Sequence, residues 1–404
     1  MVIHHLSLSG FRFFQRLEIS FPSHINIIAG QNAQGKTSVL EAIHFLSLLT
    51  SPIAGHDREM INFNNLNETI PVGRVSADVP RKEKKHHIEA RFILEKNGNG
   101  NARLRKEVLV DGAKRKLLDT VGYFNSVLFL PQMTRIIEDG PDERRKYLDR
   151  TLSQANPRYV HALSVFNQAI VRRNALLKQI AEQGGTTDQL VYWDELLAEH
   201  GALIISLRAQ AVAEIHVGIQ TRHSNLTDGQ ELFDLCYLPS LRLPGFENAA
   251  PEKQIGTISP LAGLAVEEIR SLYLDQLRLL RSEEVRRGVT TIGPHRDDLR
   301  FSANGVDLGI FGSRGQIRTA VMALKLAEVH WLEQKTGETP VLLLDETLAE
   351  LDTQRRAYLL SYLEKTEQVI LTTTDMNLFP PDFREKCERW QVVSGSVEKI
   401  ANEE

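Results

Sequence analysis

The chain has 404 residues, 42% of them hydrophobic and 25% charged, enough apolar content for a large core and for two or three domains. Lys and Arg number 48 against 52 Asp and Glu, so the net charge of −4 excludes a globally basic nucleic-acid binder while leaving room for a local basic face. Cys236 and Cys387 lie far apart and form no CxxC pair, which excludes a disulfide framework or a zinc ribbon and points to a reducing compartment.

The N-terminus MVIHHLSLSGFRFF lacks the layout of a signal peptide. Apolar runs such as Val341 to Leu344 fall far below the ~20 residues of a membrane helix. The expectation is a cytoplasmic protein with no membrane partner. Ile3, Leu6, Leu8 and then Leu17, Ile19, Phe21 predict two strands, with a break at Pro22-Ser23. Ile25 to Ala29 reads as a short buried strand ending at Gly30, and a helix begins beyond Gly35 with Val39, Leu40, Ile43, Leu46 and Leu49.

Residues 68–130 read as β-rich, with hairpin signals at Asn97-Gly98 and Asp111-Gly112. Between Arg81 and Lys116, twelve Lys or Arg face five acids, a local excess of seven positive charges. From about Asp142 to Gly288 the spacing is helical over Tyr159–Ile180, Gln189–Arg222 and Leu264–Arg287. From Thr290 onward the pattern is α/β, with helices over Gln316–Glu333 and Thr353–Lys365 and strands over Val341–Leu344 and Val369–Thr373.

Gly30-Gln31-Asn32-Ala33-Gln34-Gly35-Lys36-Thr37 fits GxxxxGK[ST] between a strand and a helix. Backbone N–H groups of such a loop wrap phosphate oxygens, Lys36 would reach the β- and γ-phosphates, and Thr37 would offer its hydroxyl to Mg²⁺. Val341-Leu342-Leu343-Leu344-Asp345-Glu346 is the matching Walker B element. There Asp345 would hold Mg²⁺ and Glu346 would act as general base toward water. The two motifs sit near opposite ends of the chain, and no NKxD motif occurs, so the nucleotide domain carries a large insertion. Ser313-Arg314-Gly315-Gln316 before a helix is a second anion site, and Ala349-Glu350-Leu351-Asp352 follows Walker B. These match the signature motif and D-loop of the ATP-binding-cassette class, in which one subunit's signature completes the other's ATP site.

In these and further motifs the chain resembles the RecF family, bacterial recombination-mediator ATPases related to SMC heads. Gly10-Phe11-Arg12 resembles the family's N-terminal element, and Gly30 to Ser38 its P-loop. Gly140-Pro141 with Arg144-Arg145 and Leu148-Asp149, then Arg173-Asn174 with Leu177-Lys178, resemble further family stretches. Gly293-Pro294-His295-Arg296-Asp297-Asp298 matches GPHRDD, Ser313 to Thr319 with Leu324 to Ala327 match SRGQxRT and LKLA, and Leu343 to Asp352 match the Walker B and D-loop block. Ala33 stands where the family usually has Gly, Glu346 where Asp is more usual, Ala349 where Ser is common, and Pro131-Gln132 replaces Pro-Glu. The switch histidine of many cassette ATPases is replaced by Thr374-Asp375.

The resemblance implies an α/β, P-loop ABC-type ATPase head, with a mixed sheet, helices and an antiparallel β subdomain, plus an inserted all-helical lobe. The expected boundaries are 1–140, 141–288 and 289–404. It implies ATP and Mg²⁺ as cofactors. Arg12 would contact the nucleotide, together with Gly30 to Ser38, Ser313 to Gln316 and Asp352, and Gln132 would be a Q-loop metal contact beside Thr37 and Asp345. His295 is expected to be structural.

The implied function is ATP-dependent DNA binding in recombinational repair. An ATP-driven homodimer would clamp single-stranded, duplex or junction DNA, help RecR and RecO load RecA, and reopen on slow, DNA-stimulated hydrolysis. DNA contacts are expected from Lys84, Lys85, Arg105, Lys106, Arg172 and Arg173. The alternatives are another SMC-like DNA ATPase or a nucleotide-gated DNA-binding module with negligible hydrolysis.

Overall fold

The computed structural model describes the chain except residues 22–23, 82–83, 97–101, 243–259, 394 and 401–404. The expected turns at Pro22-Ser23 and Asn97-Gly98, and Lys82 of the basic stretch, lie outside the described residues. Two units fold compactly: Met1–Met133 with Leu332–Glu404, and Thr134–Trp331. The expected boundary at 288 therefore does not coincide with a unit boundary, because residues 289–331 pack within the middle unit.

In the unit made of the chain ends, strands β1 (His5–Phe11), β2 (Phe14–Ser20), β4 (Val72–Arg81), β5 (Lys84–Lys96), β6 (Ala102–Val110) and β7 (Ala113–Arg115) form an antiparallel sheet ordered β2-β1-β4-β5-β6-β7. Alternating Leu6, Leu8 and Leu17, Ile19 send one face of β1 and β2 inward. Asp111 and Gly112, both at positive φ, make the expected tight turn between β6 and β7.

The second sheet is ordered β15-β14-β3-β13-β12-β8, from β3 (Ile25–Ala29), β8 (Ser126–Phe129), β12 (Val341–Asp345), β13 (Val369–Thr373), β14 (Glu388–Val393) and β15 (Ser396–Lys399). Its strands are parallel except β15, and β12 and β13 are buried throughout, as continuous apolar runs require when both faces are covered. The parallel register sets Ala29 beside Thr373 and Thr372 beside Asp345, so three carboxyl ends meet at one edge. Helix α1 (Lys36–Leu48) leaves that edge and buries Val39, Leu40, Ile43 and Leu46 in the same core as both sheets.

The middle unit contains α2 (Pro141–Ala155), α3 (Pro157–Gln183), α4 (Leu190–Leu226) and α5 (Val266–Arg287). Asn156 starts α3 by accepting from the Arg158 and Tyr159 N–H groups, with Pro157 at the first position. The expected fold class holds with one refinement. Phe233–Leu238 (β9), inside the segment expected to be all helical, pairs with Asp298–Ala303 (β10), which also pairs with Val306–Asp307 (β11). The chain then forms α6 (Arg314–Thr336) and α7 (Thr353–Leu363).

By length and composition α4 could span a bilayer, contrary to the expectation from short apolar runs. It carries buried Arg208, which donates to Asp149, to the Tyr159 hydroxyl and to the Pro294 carbonyl, and it buries Ile204, Ile205 and Ile215. These are the contacts of a core helix.

Candidate nucleotide site

The P-loop runs from the end of β3 to the start of α1, and the Gly30 N–H donates to the Thr373 carbonyl. Ala33 has φ 63 and Gly35 φ 99. Gly35 meets that demand without cost, whereas Ala33 holds a left-handed conformation at about 1 kcal/mol. Lys36 Nζ turns back over the loop and donates to the carbonyls of Gly30 (2.8 Å) and Gln31 (3.0 Å). It also lies 3.1 Å from Glu346 Oε1.

Thr37 Oγ1 donates to Asp345 at 2.8–3.0 Å. A hydroxyl and a carboxylate so placed are hard oxygen donors, the set that fits Mg²⁺. Asp345 also accepts from Thr372 Oγ1 at 2.6 Å, and that hydroxyl accepts the Glu346 N–H. Glu346 itself sits at φ 48, and its Oε2 accepts from the Thr374 N–H and hydroxyl, each at 3.2 Å. The site thus gathers Lys36, Thr37, Asp345 and Glu346 as the sequence motifs suggested. It adds Thr372, whose role has no motif; its only signal is a run of three threonines closing an apolar strand.

Other expected residues fall differently. Arg12 does not point free toward a ligand: its guanidinium grips Glu41 at 2.6 and 2.8 Å and donates to the Glu59 carbonyl. Glu41 is buried and also accepts from Ser51, so the grip is well supported. Gln132 is exposed just beyond β8, whose Phe129 pairs with Leu344 one residue before Asp345. Asp352 caps α7 by accepting from the Arg355 N–H; this bond, with the Arg355 guanidinium, holds its carboxyl below the usual range.

In the middle unit, Ser313 and Gln316 form a reciprocal capping box at the start of α6. Ser313 Oγ accepts the Gln316 N–H, and Gln316 Oε1 accepts the Ser313 N–H. Ser313, Arg314 and Gly315 are exposed. His295 Nε2 donates to the Thr290 carbonyl, and burial lowers its pKa to about 4, so it is a neutral packed ring.

The expected DNA set divides. Arg173 is corrected: it is completely buried, paired with Asp194 at 2.8 Å and Glu284 at 2.7 Å, and cannot reach a phosphate. Lys106 is tied to Asp57 and to the Leu49 carbonyl, and Arg105 to Glu95 and Glu107. Lys84 is exposed, Lys85 is exposed beside Asp78, and Arg172 lies over the Trp193 ring.

A P-loop and a Walker B acid pair at the carboxyl ends of two strands of one parallel sheet, with a single strand between them, in a unit that also holds an antiparallel sheet, define a P-loop ATPase head of the ABC type. Residues 2–387 match the RecF/RecN/SMC N-terminal domain family. The chain is similar to the DNA replication and repair protein RecF of Chloroflexus aurantiacus, 36% identical across 98% of this chain and 99% of that one. The chain belongs to the RecF family.

Its fold is also similar to a solved structure of the recombination mediator RecF with ATPrS in the RecFOR pathway. That likeness has a TM-score of 0.83 and 31% identity, and covers 99% of this chain and 98% of that one. The Smc head domain of Pyrococcus furiosus, at 16% identity and TM-score 0.50 over 98% of this chain and 95% of that one, shares the fold alone.

Proposed function

We propose that this chain is an ATP-dependent DNA-binding protein of recombinational DNA repair and replication, active in the cytoplasm. The observation that carries the proposal is the convergence of Lys36, Thr37, Asp345 and Glu346 at one sheet edge. Lys36 and the loop N–H groups bind the β- and γ-phosphates, and Thr37 and Asp345 hold Mg²⁺. When bound, Mg²⁺ neutralises charge on the phosphates. Glu346 takes a proton from the attacking water, and ATP and water become ADP and phosphate, slowly and faster on DNA.

Two copies close around two ATP molecules, each site completed by Ser313 to Gln316 of the second copy, with Asp352 nearby in sequence to the base. The exposure of Ser313, Arg314 and Gly315, with Ile310 and Phe311 exposed just before them, supports a surface made to be covered. The closed pair grips gapped or junction DNA, with Lys84, Lys85 and Arg172 contributing phosphate contacts. In the RecFOR pathway named for its structural relatives, it works with RecR and RecO to load RecA. The head, in this reading, is completed by elements from both ends of the chain.

Light scattering on Glu346→Gln tests this. A dimer with ATP-Mg²⁺ and a monomer with ADP is expected. Lys36→Met should abolish ATP binding, and Ser313→Arg should bind ATP without pairing. Normal ATP-driven dimers from Ser313→Arg would overturn the composite site.

A further inference from the structure

β13 lies between β3, which feeds the P-loop, and β12, which ends in Asp345-Glu346. Its terminal threonines therefore reach both acids. Thr372 and Thr374 are two residues apart, and both hydroxyls turn toward them. Thr373, between them, bonds instead within the following turn: its hydroxyl donates to the Asp375 carbonyl and accepts the Asp375 N–H. Asp375 in turn accepts from the Asn377 N–H. The turn that presents Thr374 is thus fastened on its far side, while the Gly30 N–H on the Thr373 carbonyl fastens it to the P-loop.

The two oxygens of Glu346 have different partners. Oε1 faces Lys36 Nζ at 3.1 Å, and Oε2 accepts two hydrogen bonds from Thr374. The backbone of residue 346 is held as well, by its N–H on Thr372. A triphosphate carries more negative charge than one carboxylate and draws Lys36 to itself. Oε1 is then released, while Oε2 stays in the grip of Thr374. The carboxylate gains an open oxygen without losing its aim. The reach depends on the glutamate stem, because an aspartate at 346 ends one methylene short of Thr374.

We infer that Thr374 is the positioning residue of the general base: it holds Glu346 by one oxygen so that the other, freed from Lys36 by ATP, receives the proton of the attacking water. The water oxygen bonds to the γ-phosphorus, the bond from that phosphorus to the bridging oxygen breaks, and its electron pair leaves on ADP. The proton goes to Glu346 Oε1. This rests on the hydrolytic reading of Glu346 above.

Thr374 is exposed, so its substitution leaves the core intact. Thr374→Val removes the hydroxyl donor, and Thr374→Ser keeps it. With ATP-Mg²⁺ and duplex DNA, Thr374→Val should bind a fluorescent ATP analogue within about twofold of wild type, yet hydrolyse ATP about tenfold to a hundredfold more slowly in a single turnover. Its ATP-bound dimer should live correspondingly longer, and Thr374→Ser should recover to within about threefold. A wild-type rate for Thr374→Val, where Glu346→Gln is slow, would overturn the inference and leave the base in place. Equal slowing of Thr374→Ser and Thr374→Val would also overturn it, since the hydroxyl would then not matter. A wild-type rate for Glu346→Gln would instead overturn the reading of Glu346 itself.

Discussion

The two compact units bury charge to opposite ends. In the unit of the chain ends, Lys36 and Asp345 are buried at a sheet edge, and their partners are two threonine hydroxyls, loop carbonyls and Glu346. Each of those contacts can be exchanged for a phosphate or a cation without leaving a charge stranded. In the middle unit, Arg173 is ion-paired with Asp194 and Glu284 and donates to Thr290, and Arg208 donates to Asp149, Tyr159 and the Pro294 carbonyl. Asp194 is shared further with Arg281. Removing Arg173 would leave the buried Glu284 without its cation, which marks that network as structure. Burial of an ionisable group is therefore ambiguous by itself; the exchangeability of its partners separates a ligand site from a brace.

The sharpest way to break this contrast is to remove one cation from each unit. Arg173→Ala should cost about 3–5 kcal/mol in chemical denaturation, because Glu284 is left buried without its charge partner. Lys36→Met should change unfolding by less than about 1 kcal/mol while abolishing nucleotide binding. Comparable losses of stability would erase the distinction.

Acid probes a buried histidine of the middle unit. The His295 ring resists protonation in the folded state down to about pH 4, against the ordinary 6.5. Its contribution to stability is full above pH 6.5 and is lost as pH falls toward 4, by about 3 kcal/mol at most. His295→Gln keeps a donor for the Thr290 carbonyl and should flatten that slope in denaturation midpoints taken across this window.

A smaller effect is expected at the P-loop, where Ala33→Gly relieves a left-handed alanine and should raise stability by about 1 kcal/mol, seen as a higher melting temperature without nucleotide. The smallest concerns the surface. Reversing Lys84 and Lys85 to Glu should weaken DNA binding several-fold and reduce the slope of log affinity against log salt by about two. An unchanged slope would remove β5 from the DNA surface.

Local pattern was enough to read the parallel strands, the phosphate loop and the long helices. Val341 to Asp345 and Val369 to Thr373 are short apolar runs that can be satisfied only between covered faces, and the spacing of Pro157 to Gln183 suits only a helix. Strand β9 escaped notice because it is six residues long and lies within a helical stretch. The basic segment misled in a different way. Its formal excess of charge is visible in sequence, but Arg105 is paired with Glu95 across the strands and Glu107 on its own strand, and Lys106 with Asp57.

What the sequence determined by itself is the chemistry on offer: a loop whose glycines and lysine suit phosphate, two acids closing a buried strand, and a capped helix start at Ser313. These depend on neighbours within a few residues, where bond geometry and local hydrogen bonding decide the outcome. Only the tertiary structure decided which charges are available. Arg172 and Arg173 are adjacent in sequence, yet one lies over Trp193 and the other is locked between two acids. It also decided that Thr372 and Thr374 stand between the P-loop and Asp345-Glu346, because strand order in a parallel sheet is set by the packing of distant segments.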